Sequence, residues 1–174
     1  MTDIATLIEE SGAIKTGKFK LSDGSLTDYY IDKYVFETRP DVLDAVADGL
    51  LAEIEAMDVD AVVGPALGAV PLVTAVSLRS GLPAAYVRQG ETHRGTQARI
   101  EGTIEKGMRV AIVEDVTATG RTILDSAHVV EEAGGIVEGL VVVVDRNAEA
   151  EEAVREAGYE LTYLTQVGSD FAIQ

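Results

Sequence analysis

The stretch Val110-Ala-Ile-Val-Glu114-Asp115-Val116-Thr117-Ala118-Thr119-Gly120-Arg121-Thr122 places an apolar run before two adjacent carboxylates and a Thr/Gly turn after them. The apolar run reads as a strand, and the residues from Arg121 onward read as the start of a helix. Free N–H groups of such a turn and of a first helical turn face an anion, and threonine hydroxyls add donors. Gly120 lets the backbone come close to phosphate oxygens. Carboxylates beside a phosphate repel it unless they hold something else, and sugar hydroxyls or a bound cation are suitable partners. The turn therefore reads as a cradle for a sugar phosphate whose ribose is held by Glu114 and Asp115. The plain alternative is a βα turn with an N-cap threonine and solvated acids. The ordered succession of strand, double acid, T-G-x-T and helix favours the cradle.

Other chemistries are excluded by what is missing. No G-x-x-x-x-G-K-[ST] or G-x-G-x-x-G occurs. The chain has no Cys and only His93 and His128, which removes thiol nucleophiles, disulfides and histidine-rich metal sites. His128 lies within a helical stretch and reads as packing or surface.

Elements that position the turn follow from periodicity. Ile4, Leu7 and Ile8 give a helix over 3–11, and residues 13–36 read as extended around a turn at 22–25. Val42, Leu43, Val46, Leu50, Ile54 and Met57 make an amphipathic helix from Pro40. Strands follow at 60–64, 83–87, 109–113, 136–144 and 159–164, with helices at 71–79, 121–133 and 149–157. The segment 88–103 is polar and aperiodic. Apolar strands alternating with helices imply a parallel sheet buried on both faces, in a three-layer α/β domain. Ligands of such folds bind at the carboxyl ends of the strands. The N-terminal third breaks the alternation and is expected as a hood over that edge. The expectation is a single domain over 1–174, with 1–36 as the hood and 37–174 as the core.

Composition bounds the partners. Of 174 residues, 47% are apolar, and the net charge of −16 disfavours nucleic acid and anionic membrane. No apolar run approaches a membrane span, and Met-Thr-Asp-Ile-Ala lacks the features of a signal peptide, so a cytoplasmic protein is expected. The acids are dispersed and lysines few (Lys15, Lys18, Lys20, Lys33, Lys106). That pattern describes a solvated surface of the kind needed in concentrated salt.

The turn resembles the phosphoribosyl pyrophosphate (PRPP) motif of type I phosphoribosyltransferases, and four further segments are similar to orotate phosphoribosyltransferases. Gly12-Ala-Ile-Lys-Thr-Gly17-Lys-Phe19-Lys-Leu21-Ser-Asp-Gly24-Ser-Leu-Thr27-Asp-Tyr29-Tyr30-Ile-Asp32 resembles their N-terminal signature. Gly64-Pro-Ala-Leu-Gly68-Ala-Val-Pro71 is similar to their pyrophosphate loop. Tyr86-Val-Arg88 through Gly95-Thr96 and Ile100-Glu101-Gly102 resembles their mobile catalytic loop. Val144-Asp145-Arg146 resembles the strand end whose Arg receives the orotate carboxylate. The segments run in family order from about residue 10 to 165.

The resemblance implies a type I phosphoribosyltransferase-like fold and Mg²⁺-dependent transfer of phosphoribosyl from PRPP to orotate, with Mg²⁺ carried by PRPP and no direct protein ligand. It places PRPP on Arg88, Gln89, Thr92, Arg94, Glu114, Asp115, Val116, Thr117, Ala118, Thr119, Gly120, Arg121 and Thr122. Orotate would meet Ala118, Arg146, Tyr29 and Tyr30. Arg88, Arg94, Glu114 and Asp115 would carry the catalysis. A homodimer is implied, with loop 88–103 acting in trans.

The sequence also departs from the pattern. Gln89 and Thr92 stand at lysine positions of the loop, Arg94 stands at its histidine position, Ser22 replaces a lysine near orotate, and Gly68 replaces one in the pyrophosphate loop. Arg88, Arg94 and Arg99 read as ligand-directed compensation; the alternative is that they pair with acids such as Glu91 and Glu101. Arg146 has a similar alternative in an ion pair with Asp145, and the tyrosines one in packing. A non-catalytic PRPP- or nucleotide-binding relative, or a transferase for another base, stands beside the orotate reading.

Overall fold

The computed structural model describes residues 3–20, 24, 26–90, 99–147 and 149–171. The elements are α1 (Ile4–Glu10), β1 (Ile14–Lys20), β2 (Leu26–Ile31), α2 (Lys33–Glu37), α3 (Pro40–Glu55), β3 (Ala61–Ala66), α4 (Val70–Ser80) and β4 (Ala84–Arg88). They continue with β5 (Ile100–Glu101), β6 (Arg109–Thr117), α5 (Arg121–Glu132), β7 (Ile136–Asp145), α6 (Glu149–Glu156) and β8 (Leu161–Gln166).

Strand residues are apolar at successive positions, and alternation sends neighbours to opposite sides of the sheet. Val62, Ala111 and Val113 join one buried cluster with α1, α3 and α4. Ala61, Val63, Val110 and Ile112 join the other with α5 and α6. Both faces are thus covered, which is the condition for a parallel sheet. The order is β5-β4-β3-β6-β7-β8, parallel from β4 to β8. From β3 the chain steps outward to β4 and β5, then returns to β6 on the opposite side of β3. No helix among the described residues is long and apolar enough to cross a membrane.

Three local readings are corrected. Residues 33–37 are not extended: they form α2, which buries Phe36 in the core. The segment 88–103 contains β5, antiparallel to β4, with Tyr86 opposite Glu101 and Val87 opposite Ile100. Two residues are too few to show a period. β6 continues past Val113 to Thr117, because β7 pairs with it as far as Thr117–Asp145.

Ahead of the core, β1 and β2 form their own antiparallel pair. Ala13, Ile31 and Phe36 belong to the same buried cluster as α3 and β7, so this segment shares the core of the larger sheet.

Strand β3 is held very close to β6. A Cβ on Gly64 would lie 2.7 Å from the Val113 carbonyl oxygen and 2.8 Å from Ala69 Cβ, neither of which can swing away. On Gly139 it would meet only the Met57 thioether end, at 2.6 Å, which can. Gly64→Ala is expected to cost ~1–3 kcal/mol, and Gly139→Ala less than about 1. Thermal melts of the two variants test this, and equal shifts would mean slack between β3 and β6.

Candidate active site

Strand β6 delivers Glu114, Asp115 and Thr117 to its carboxyl end as buried groups, 4%, 3% and 5% exposed. The Val116 N–H donates to Asp115 Oδ1 at 2.5 Å, fixing that carboxylate. Thr117 Oγ1 accepts from the Gly120 N–H at 3.1 Å and closes the turn, so this threonine serves the turn's shape. Gly120 takes φ 72°, a left-handed value that favours glycine. Among the described residues no side chain caps α5, and Leu124 is the residue whose amide returns to the Gly120 carbonyl. The amides of Arg121, Thr122 and Ile123 therefore lack helical acceptors and are available to an anion.

Lys33 and Glu37 reach this floor from α2, and the sequence reading missed both. Lys33 Nζ stands 2.7 Å from Asp115 Oδ2. Burial works against its charge, but the Asp115 carboxylate outweighs it and holds the ammonium pKa above the ordinary value. Glu37 is 2% exposed, and neither of its oxygens has a partner among the described residues. Burial, then the Asp115 charge, push its carboxyl up to about 8, against the pull of Lys33. Glu114 is likewise pushed up to about 8 by burial and Asp115, with Lys33 and the Thr117 hydroxyl pulling the other way; its Oε2 has no partner among the described residues. The cleft above holds about 200 Å³, and Gly68, Gln89, Val116 and Thr122 are among the residues lining it.

These two acids give a pH dependence. Their ordinary pKa is 4.5, and in the fold both keep their protons to about 8. The folded state binds more protons in that window. Their contribution to stability is therefore full below pH 4.5 and is lost as pH rises to about 8. Glu37→Gln is expected to raise the thermal midpoint more above pH 8 than at pH 5, when both proteins are melted across that range. A displacement equal at every pH would assign Glu37 to packing alone.

Arg146 follows the end of β7, and its N–H donates to the Thr117 carbonyl at 2.9 Å, tying it to the turn. Its Nε donates to Tyr29 Oη at 3.4 Å and its Nη2 to Thr27 Oγ1 at 3.5 Å. The guanidinium carbon lies 4.8 Å from the Tyr29 ring centre. Asp145 is not its partner: that carboxylate accepts from Gln166 Nε2 at 2.9 Å and from the Asn147 N–H at 3.2 Å. Among the described residues Arg146 pairs with no acid. Strand alternation puts Thr27 and Tyr29 on the side facing Arg146 and Tyr30 on the other, where its ring is 5.7 Å from Phe19. The structure thus brings Tyr29 to Arg146 and leaves Tyr30 outside. Thr27 was legible as a neighbour from its spacing of two to Tyr29.

Arg88 pairs with Glu101 at 3.3 Å. Arg99 Nη1 donates to Asp125 Oδ1 at 3.1 Å, and the Arg99 side chain also donates to the Arg88 carbonyl. In the described structure both arginines therefore face acids. Arg99, Arg121, Thr122, Asp125 and Gln89 border a second cleft, of about 400 Å³, beside the first. Ala118 is half-buried and Thr119 exposed on the turn. Thr92 and Arg94 lie outside the described residues.

A parallel sheet flanked by helices, with a threonine–glycine turn and paired acids at its carboxyl edge, is the architecture of type I phosphoribosyltransferases, and the phosphoribosyl transferase domain family matches residues 37–161. The chain is 45% identical over 159 residues to the orotate phosphoribosyltransferase of Methanopyrus kandleri, covering 91% of this chain and 85% of that protein. The structure of the Aeropyrum pernix orotate phosphoribosyltransferase superposes with a TM-score of 0.85 at 31% identity, over 96% of this chain and 95% of that one. The Mycobacterium tuberculosis orotate phosphoribosyltransferase in complex with PRPP gives 0.79 at 30% identity, over 97% and 98%. The chain belongs to the orotate phosphoribosyltransferase family.

Proposed function

We propose that the chain is a cytoplasmic, Mg²⁺-dependent orotate phosphoribosyltransferase, forming orotidine 5′-phosphate and pyrophosphate. A ring nitrogen of orotate bonds to ribose C1 and gives up its proton, while the C1–O bond breaks and its electron pair leaves on pyrophosphate. The sugar is cation-like as this happens. Catalysis of that kind is positioning and charge stabilisation, and it needs no covalent nucleophile. One observation carries the reading: the buried Glu114–Asp115 pair, the start of α5 and Arg146 meet at Thr117, whose hydroxyl accepts from the Gly120 N–H and whose carbonyl accepts from the Arg146 backbone N–H.

In this reading the turn of residues 117–122 takes the 5′-phosphate, with the Arg121 and Thr122 amides among its donors, Glu114 and Asp115 take the ribose hydroxyls, and Arg146 takes the orotate carboxylate beside Tyr29 and Ala118. The cleft floor is lined by oxygen donors, Glu114 Oε2 having no partner among the described residues, which suits a hard divalent cation that arrives on PRPP and takes no direct protein ligand. Carried in by PRPP, Mg²⁺ would neutralise charge on the leaving group. The proposal includes one domain over 1–174 and a homodimer in which 88–103 of one subunit covers the other's cleft. Leu67, 68% exposed at the cleft, is apolar surface that such a cover would bury.

The test is orotate absorbance during incubation with PRPP and Mg²⁺ in high salt. Loss of the orotate signal supports the reading. PRPP binding by calorimetry without turnover of any base would replace it with a regulatory relative. Turnover of a different base would leave Arg146 without its carboxylate.

A further inference from the structure

We propose that Lys33 is the cation this chain sets against the pyrophosphate end of its phosphoribosyl donor, presented from α2 into space kept open by Gly68. The inference rests on the reading of this cleft as the PRPP site. Among the described residues lining the cleft, Lys33 is the one cation, facing Glu114 and Asp115. The departing group is strongly anionic and needs positive charge on the protein side. Arg88 and Arg99 are taken up by Glu101 and Asp125, and Arg121 borders the neighbouring cleft rather than this one.

Gly68 makes the arrangement possible. A Cβ there would stand 2.5 Å from Lys33 Nζ and would overlap the Asp115 carboxylate, so a side chain at 68 and the ammonium exclude one another. The Lys33 side chain is 32% exposed and that of Asp115 only 4%, so the ammonium bridges a buried carboxylate and the open cleft. An ammonium has three donors. Among the described residues Asp115 is its one ion-pair partner, which leaves donors for a ligand. A face of the Tyr34 ring lies 5.6 Å from Nζ and restricts where the stem can go.

Calorimetry with two probes, magnesium pyrophosphate and ribose 5-phosphate, tests the assignment on wild type, Lys33→Met and Lys33→Arg. Lys33→Met is expected to weaken pyrophosphate on the order of 10- to 100-fold, with ribose 5-phosphate changed less than about threefold and Lys33→Arg recovering most of the loss. Unchanged pyrophosphate affinity, or equal loss of both ligands, overturns it, since Lys33 would then act only by holding Asp115. Wild-type protein that binds neither probe would instead sink the donor-site reading itself. A second measurement needs no variant: in wild-type protein, magnesium pyrophosphate should protect Lys33 from an amine-acylating reagent and ribose 5-phosphate should not. Acylation of Lys33 unaffected by pyrophosphate also overturns the proposal.

Discussion

Arg146→Ala is expected to raise the KM for orotate ~10- to 100-fold while the KM for PRPP stays within about twofold. Among the described residues the guanidinium has only neutral hydroxyl partners, Tyr29 and Thr27, at 3.4 and 3.5 Å. Such long bonds are readily exchanged for a carboxylate, which offers two charge-assisted ones in the fork geometry arginine prefers. Stacking over Tyr29 at 4.8 Å keeps the plane of the fork set before the ligand arrives. For that reason Arg146→Lys should recover little: an ammonium is a point charge and cannot make the paired contact. Initial rates with each substrate varied in turn decide the matter. Equal loss for both substrates would remove Arg146 from the orotate side.

The second large effect is expected at Asp115. Asp115→Asn should lower kcat ~10- to 100-fold, since a charge-assisted contact to the cation-like sugar is worth about 1.5–3 kcal/mol. The amide oxygen can still accept from the Val116 N–H, so the turn keeps its shape. Lys33 loses its counter-charge in this variant, and pyrophosphate affinity should hold or rise. That opposite movement of turnover and affinity separates a role at the sugar from a general collapse of the site. A kcat equal to wild type would show that this carboxylate does not touch the reacting ribose.

Much of the scaffold was legible because its signals are long. The ten residues of β7 and the sixteen of α3 carry period and burial in their own composition. The turn after β6 was legible because strand, acids, glycine and helix start are contiguous. Short elements were not: α2 has five residues and β5 two, below any window in which a period shows. The role of Lys33 was hidden for a different reason. It depends on Asp115, far away in sequence, and on the missing side chain of Gly68, and only the folded chain places the three together. One clue was available, since a lysine kept in a lysine-poor chain invites a question. Glu37 gave none; its burial comes from Phe36 pulling α2 into the core. Tyr30 was separable from Tyr29 by strand parity alone.

The strand order has a last consequence. Because the chain leaves β3 in one direction and β6 lies on its other side, the connections that follow these two strands diverge, and a crevice must open between them. Its location is a property of the winding, and it persists whichever side chains line it. Chemistry here is a tenancy: residues 33, 68, 115 and 146 can be exchanged for others, and preference for a base retuned, without rebuilding the house.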